Sequence, residues 1–298
     1  MKLFYIIILF LFFASCGDDD IVKPIDPPPP PGGYKIIDFE PSWSPDGQTI
    51  AFVHNDTSLS ESGIYLIDIN GTNKRQLVSG FGGSPDFSPD GNWITFAVGQ
   101  IFKIKTNGDS LTPLTNGGSN YFPSWSSDGE WIAYDSDYLD PTGSKVIWKV
   151  KSDNSIRLDI SQHGIGEWRT PSWSQDNLKI VYLRYYSGSS GETEISIMDS
   201  SGQNSYRLTN NINWDWYPKY SPQGNKILFT QQHEAVVNYQ LFTVNVDGTG
   251  KQRITDTQGY SADYSPDGEK IVYCDSSPGN GRLWIINKDG TNKRQLTY

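Results

Sequence analysis

The 298-residue chain has little of what marks several functional classes. It contains two cysteines, Cys16 and Cys274, so no disulfide framework staples an exported domain, which must be held by its own core. Lys and Arg total 24 against 34 Asp and Glu, a formal net charge of −10, and no segment gathers the basic residues. A phosphate backbone therefore meets no electrostatic footprint, and nucleic acid is not expected as a partner. Histidines number three, His54, His163 and His233, without the close spacing that metal sites show. No G-x-S-x-G elbow, phosphate-binding glycine loop or full calcium loop occurs. Accordingly, no catalytic residue, metal ligand or cofactor is expected. One long apolar run exists, Leu3 to Phe13, and its eleven residues are too few to span a bilayer as a helix.

That run instead follows a minimal positive start, Met1-Lys2, and ends in the small residues Ala14-Ser15 before Cys16, which is signal-peptide grammar. The Ala-Ser-Cys ending resembles a bacterial lipobox, with Phe13 in place of the usual Leu. The resemblance implies cleavage after residue 15 and lipidation of Cys16, and several acyl chains on one residue anchor stably where one does not. Residues 16–33 read as a linker. Three acids, Asp18 to Asp20, resemble the export signal of surface lipoproteins, and five prolines, Pro27 to Pro31, favour a stiff extended spacer before Gly32-Gly33.

What the rest of the chain has is a repeat. Pro41-Ser42-Trp43-Ser44-Pro45-Asp46-Gly47 recurs with its central serine at positions 44, 88, 126, 174, 221 and 265. A period of this size with strand-like contents is the signature of a propeller. Each copy begins with an aromatic strand and a Pro-Asp-Gly-type turn. Proline presets φ there and glycine accepts a positive φ. A continuous apolar strand follows, such as Ile50-Ala51-Phe52-Val53, as expected of a strand covered on both faces. A third strand ends at a hairpin signal, Asn70-Gly71 or Asp247-Gly248, and a short polar fourth strand is read as ending in Leu-Thr or Ile-Thr, as at Leu114-Thr115 and Leu296-Thr297. The fold class is therefore all-β, a six-bladed propeller of four-stranded antiparallel blades over residues 34–298. Tyr34 to Ile37 is left over, to extend the first strand or lie across the ring junction.

The Trp-Ser-Pro-Asp-Gly unit, its apolar strand, Asp-Gly and Leu-Thr together resemble the repeat of TolB-like propellers, over residues 39 to 298. The copies depart from it at Gln175-Asp176-Asn177, which lacks Pro and Gly, and at Gln223, which replaces the turn Asp. The resemblance implies an envelope protein-interaction scaffold. The accessory N-terminal domain of TolB-like proteins is replaced here by the proline spacer, and fold alone does not assign function.

The strand order puts the tight turns on one face and the irregular connections on the other, where binding usually lives. Phe81, Tyr121, Trp168, Trp214, Trp216 and Tyr260 enter that loop face and are the candidate ligand-binding residues. Trp214 and Trp216, beside Asn213 and Asp215 in a segment read as non-strand, are the best candidates for an exposed stacking platform. Asp46, Asp90, Asp128 and Asp267 repeat with the blade and are assigned to the turn. The expected function is a non-catalytic, lipid-anchored outer-membrane module, periplasmic or at the cell surface, that binds an envelope protein. A surface glycan-binding protein is the alternative, and a metal-dependent lyase using the three histidines is a remoter one.

Overall fold

The computed structural model describes residues 36–56, 61–140, 143–161, 167–185, 193–232, 239–275 and 281–298. They form six four-stranded antiparallel sheets, each taking its strands in chain order. Blade 1 consists of β1 (Ile36–Trp43), β2 (Thr49–Asp56), β3 (Gly63–Asp68) and β4 (Arg75–Ser79). The remaining innermost strands are Gly83–Phe87, Asn120–Trp125, Trp168–Trp173, Trp214–Tyr220 and Tyr260–Tyr264.

Six hydrophobic clusters hold the ring, one at each interface between blades. The continuous apolar strands supply both of their faces: in β2, Ile50 and Phe52 join a cluster with blade 6, whereas Ala51 and Val53 join one with blade 2. The other four clusters join blades 2 and 3, 3 and 4, 4 and 5, and 5 and 6. A fully buried Leu or Ile contributes roughly 1.5–3 kcal/mol, so each interface is a substantial core of its own. Cys274, fully buried at the seam between blades 6 and 1, packs as a small apolar residue in this way.

No strand is shared across that seam. Residues Ile36 and Ile37 both extend β1 and lie across the junction: Ile37 forms a parallel bridge with Gly281, and the Asp38 amide donates to the Gly281 carbonyl at 3.0 Å. The Trp43 amide donates to Asp263 Oδ2 at 2.8 Å, and Arg294 Nη2 donates to the Ile69 carbonyl at 2.5 Å. Tyr34 lies outside the described residues.

The Leu-Thr pairs fall just beyond the fourth strands rather than at their ends. Those strands are Thr112–Pro113, Tyr206–Arg207, Gln252–Arg253 and Arg294–Gln295. The leucine or isoleucine dives into a core cluster at Leu114, Ile254 and Leu296. The threonine hydroxyl accepts an amide near the start of the third strand: Ile101 to Thr115, Ile195 to Thr209, Leu241 to Thr255 and Leu283 to Thr297, at 2.9–3.0 Å. A side chain thus replaces a backbone acceptor where the sheet edge ends.

The Pro-Asp-Gly turn serves two purposes. Within a blade, the Ser44 hydroxyl donates to Asp46 Oδ1 at 2.6 Å, and the Gln48 amide donates to the same oxygen at 3.0 Å. These bonds hold the Asp46 carboxyl below its ordinary pKa range. Ser88–Asp90, Ser126–Asp128 and Ser265–Asp267 repeat the contact at 2.5–2.6 Å. Between blades, the turn glycine faces the preceding blade's proline: Gly91 faces Pro45, Gly129 faces Pro89 and Gly47 faces Pro266. The irregular copies keep the fastening by other means. Ser127, in a proline position, donates its amide to Asn177 Oδ1 at 2.7 Å and its hydroxyl to the Gln175 carbonyl at 2.5 Å, and Asn177 adopts φ of 61°. Asn177→Gly should therefore destabilise the fold by about 1–2 kcal/mol through lost hydrogen bonds, although glycine suits this φ better. Urea unfolding of Asn177→Gly, Ser127→Ala and the double variant should show a double effect smaller than the sum.

Candidate functional site

At the loop end of each blade, the first and second strands pair side chains whose chemistry differs from blade to blade. Asp38 faces His54, Asn120 faces Ser136, Trp168 faces Arg184 and Asp215 faces Gln231. His54 Nδ1 lies 2.5 Å from Asp38 Oδ1, and both residues are buried. In four blades a cation from the outer edge stacks over the central aromatic rings and reaches inward. Lys74 sits 5.0 Å from the Tyr65 ring centre and 3.3 Å from His54 Nδ1. Arg157 sits 4.9 Å from the Trp148 ring and 3.4 Å from Asn120 Oδ1. Lys251 stacks on Phe242 at 4.8 Å and donates to Gln231 Oε1 at 2.8 Å, while Lys293 stacks on Trp284 at 4.4 Å and donates to Asp275 Oδ2 at 2.5 Å. Buried polar groups need such partners.

The deepest of these networks joins blades 4 and 5. Glu194 and Asp215 are both fully buried. Glu194 accepts from Arg207 and from the Asn211 amide, and Asp215 accepts from Gln231 Nε2 at 2.7 Å and Asn211 Nδ2 at 3.1 Å. Burial, aided by the neighbouring Glu194 charge, pushes the Asp215 carboxyl up to about 7.

Along the axis, every innermost strand carries a bulge with a left-handed non-glycine residue. Glu40, Ser84, Phe122, Thr170, Tyr217 and Ser261 have φ between 48° and 53°. Each such residue stores strain of order 1–3 kcal/mol. All six line one channel, together with the Pro or Ala that follows each of them and Lys219. From blade 5, Lys219 Nζ reaches across the bore to within 3.8 Å of Asp86 Oδ1 in blade 2. Asp86 also accepts the Trp125 amide at 2.7 Å, and Glu40 Oε2 accepts the Ser84 amide at 2.6 Å. Burial pushes Asp86 up to about 6 despite the opposing Lys219, and burial likewise raises Asp263. Burial would lower the Lys219 ammonium, but Asp86, Asp263 and Glu40 outweigh it and raise it.

The expected ligand-binding residues separate into two groups. Phe81 is 83% exposed, and Tyr121 is 36% exposed with Lys145 Nζ 4.7 Å from its ring centre. Trp214 and Tyr260 are half-buried, and Tyr260 packs against the seam cluster. Trp168 and Trp216 correct the expectation: each is only 3% exposed. Trp168 stacks on Tyr182 with ring centres 4.9 Å apart. Trp214 and Trp216 belong to a strand, paired with Gln232 and Thr230, and Asp215 between them lies buried within the sheet rather than in a loop. His54 is bound into the Asp38 pair, while His163 and His233 lie outside the described residues. Among the described residues, no group of three or more His, Cys, Asp and Glu is placed to hold a metal ion. The buried polar pairs were not foreseen because they depend on the exact register of two strands within a blade, and the channel groups because they meet only in the closed ring.

The fold and the axial site define a six-bladed propeller with a charged central channel. Residues 32–138 and 163–298 match the family model described as the TolB beta propeller domain, and the chain belongs to that family. An uncharacterized protein of Agrobacterium fabrum is 24% identical over 78% of this chain and 83% of its own length. The Tol-Pal system protein TolB of Francisella tularensis subsp. mediasiatica is 33% identical over 52% of this chain, which spans only 35% of that relative. TolB from Acinetobacter baumannii shares the fold with a TM-score of 0.72 at 19% identity, covering 85% of this chain and 64% of that structure.

The buried acids give stability a definite pH dependence. A carboxyl whose folded pKa is raised binds its proton more tightly when folded, so its contribution is full below the unfolded value and lost as pH rises through the folded one. For Asp215 that window runs from the ordinary value of 3.8 to about 7. Relative to Asp215→Asn, the native chain should gain stability on acidification from pH 7 to pH 4 by several kcal/mol, on the order of 1.4 kcal/mol per pKa unit. Urea midpoints of both proteins across that range measure it.

Proposed function

We propose that this chain is a lipid-anchored, non-catalytic binding module of the bacterial cell envelope, held to the outer membrane through Cys16 and the 16–33 spacer, with its loop face bound to a protein partner. The observation that carries this reading is the character of the loop face. Large apolar groups stand in solvent there, Phe81 at 83%, Leu139 at 76% and Ile212 at 64% exposure. Exposed apolar groups on a rigid scaffold favour apolar side chains of another protein. Sugar recognition through a tryptophan pair is disfavoured, since Trp216 is in the core. The Francisella relative is named as a protein of the Tol-Pal system, and membership of a multi-part system supports a protein partner here.

Two measurements test the reading. Cys16→Ser should move the protein from the membrane fraction to the soluble fraction of lysed cells, and retention in the membrane would remove the anchor. A photo-crosslinking residue at Phe81, Leu139 or Ile212 in intact cells should capture one discrete protein. The same residue at Leu178, in a tight turn on the opposite face, should not. Phe81→Ser with Leu139→Ser should lower the yield from Ile212 at least tenfold. Equal capture from both faces would overturn the assignment.

A further inference from the structure

The outermost strand of each blade is an open sheet edge, and five of the six are blunted. Those of blades 2, 4, 5 and 6 have two residues each, and in blade 2 one of the two is Pro113, which has no amide to offer. In blade 1, β4 is interrupted by a register shift against Ile64 and Tyr65. Blade 3 differs. Its outer strand, Arg157–Asp159, runs in unbroken register along Trp148, Lys149 and Val150 of the third strand. Ile156 and Leu158, two residues apart and therefore on one face of the sheet, are 45% and 43% exposed. An apolar open edge of this kind is a template for another strand.

The backbone shows which groups are on offer. The Lys151 amide donates to the Ile156 carbonyl at 2.8 Å, and the Ile160 amide donates to the Ile147 carbonyl at 3.1 Å. Residues 156, 158 and 160 thus bond inward, and Arg157 and Asp159 between them turn their amides and carbonyls to the free edge. The stretch Ile156-Arg157-Leu158-Asp159-Ile160 is also its own antiparallel complement. Turned on itself about Leu158, it sets leucine opposite leucine and each Arg157 opposite an Asp159. The outward amides and carbonyls of those two residues then bond to one another, and the leucines form the non-hydrogen-bonded pair, in which side chains lie closest. Arg157 can keep its place over the Trp148 ring and Asp159 its bonds to Ser161, because opposite charges one strand apart attract without direct contact.

We propose that two copies of this chain associate through the outer edge of blade 3, their sheets joined antiparallel about Leu158. The contact uses the same edge in both copies, so it closes as a dimer and does not propagate. It lies on the outside of the ring and does not depend on what the loop face binds. A three-residue edge is small beside a standard interface, so the association is weak and is best read by trapping it.

The test is disulfide trapping of the full-length chain in intact cells that carry it in two differently tagged versions. Leu158→Cys should join the two versions under mild oxidation, because Cα atoms of a non-hydrogen-bonded pair lie about 4.5 Å apart, within disulfide reach. Ile156→Cys is as exposed but should not, since its two copies are four positions out of register, about 14 Å apart along the strands. The unsubstituted chain, with Cys16 and Cys274, gives the background. In sedimentation of the purified protein at rising concentration, a dimer should appear. Leu158→Lys should weaken it about tenfold or more by opposing like charges, whereas Leu111→Lys, at an exposed position of blade 2, should leave it unchanged. Equal trapping from both cysteine positions would mean random collision and overturn the inference. So would trapping from Ile156 alone, no trapping from Leu158, another protein joined to Leu158 in place of a second copy, or a monomer at every concentration.

Discussion

Every blade must bury both faces of its sheet, and only closure of the ring lets all six do so at once. The seam between blades 1 and 6 is where that requirement is met without any covalent or shared-strand help. The bonds from Trp43 to Asp263 and from Asp38 to Gly281 set the register there. Behind them lies a cluster that takes Trp43, Phe52 and Tyr65 from one end of the chain and Val272, Leu283 and Leu296 from the other. Lys219 adds a tie of another kind, since its attraction to Asp86 acts across the ring rather than around it.

Closure also explains the electrostatics. Blade faces are largely apolar, so buried charged side chains gather near the ends and along the axis, where opposite charges and hydrogen-bond partners meet them. The loop ends accordingly carry a different pair in each blade, Asp38 with His54, Asn120 with Ser136 and Asp215 with Gln231. The scaffold is repetitive and the rim is not, which is how a common architecture presents an individual surface.

The architecture was legible because its determinants are local: a serine-centred turn at regular spacing and apolar strands too continuous for a one-sided sheet. The position of Leu-Thr was misread because an apolar residue followed by Thr reads as the end of a strand, whereas here the threonine hydroxyl substitutes for a strand's carbonyl. Trp214 and Trp216 were misread because polar neighbours suggest a loop, and only the pairing with Gln232 and Thr230 shows otherwise. The axial bulges had no signal of their own. Proline follows the left-handed residue in five blades, yet Ser261 adopts φ of 48° before Ala262, so the ring imposes the conformation and proline is incidental to it. The charge of the channel was invisible for a simpler reason. Glu40, Asp86, Lys219 and Asp263 are widely spaced in the chain and meet only around the axis.

The fastening of each turn to the one before it has a bearing on how such rings diversify. Where Pro89 precedes Gly129, shape alone makes the contact, and where Ser127 precedes Asn177, hydrogen bonds make it. A copy of blade 2 set in the place of blade 4 would present glycine to Ser127 and leave its amide without the Asn177 side-chain acceptor. The blades are therefore not interchangeable cassettes. What is inherited as a unit is the junction, half of it contributed by each neighbour, and a ring of this kind can change one half only when the other changes with it.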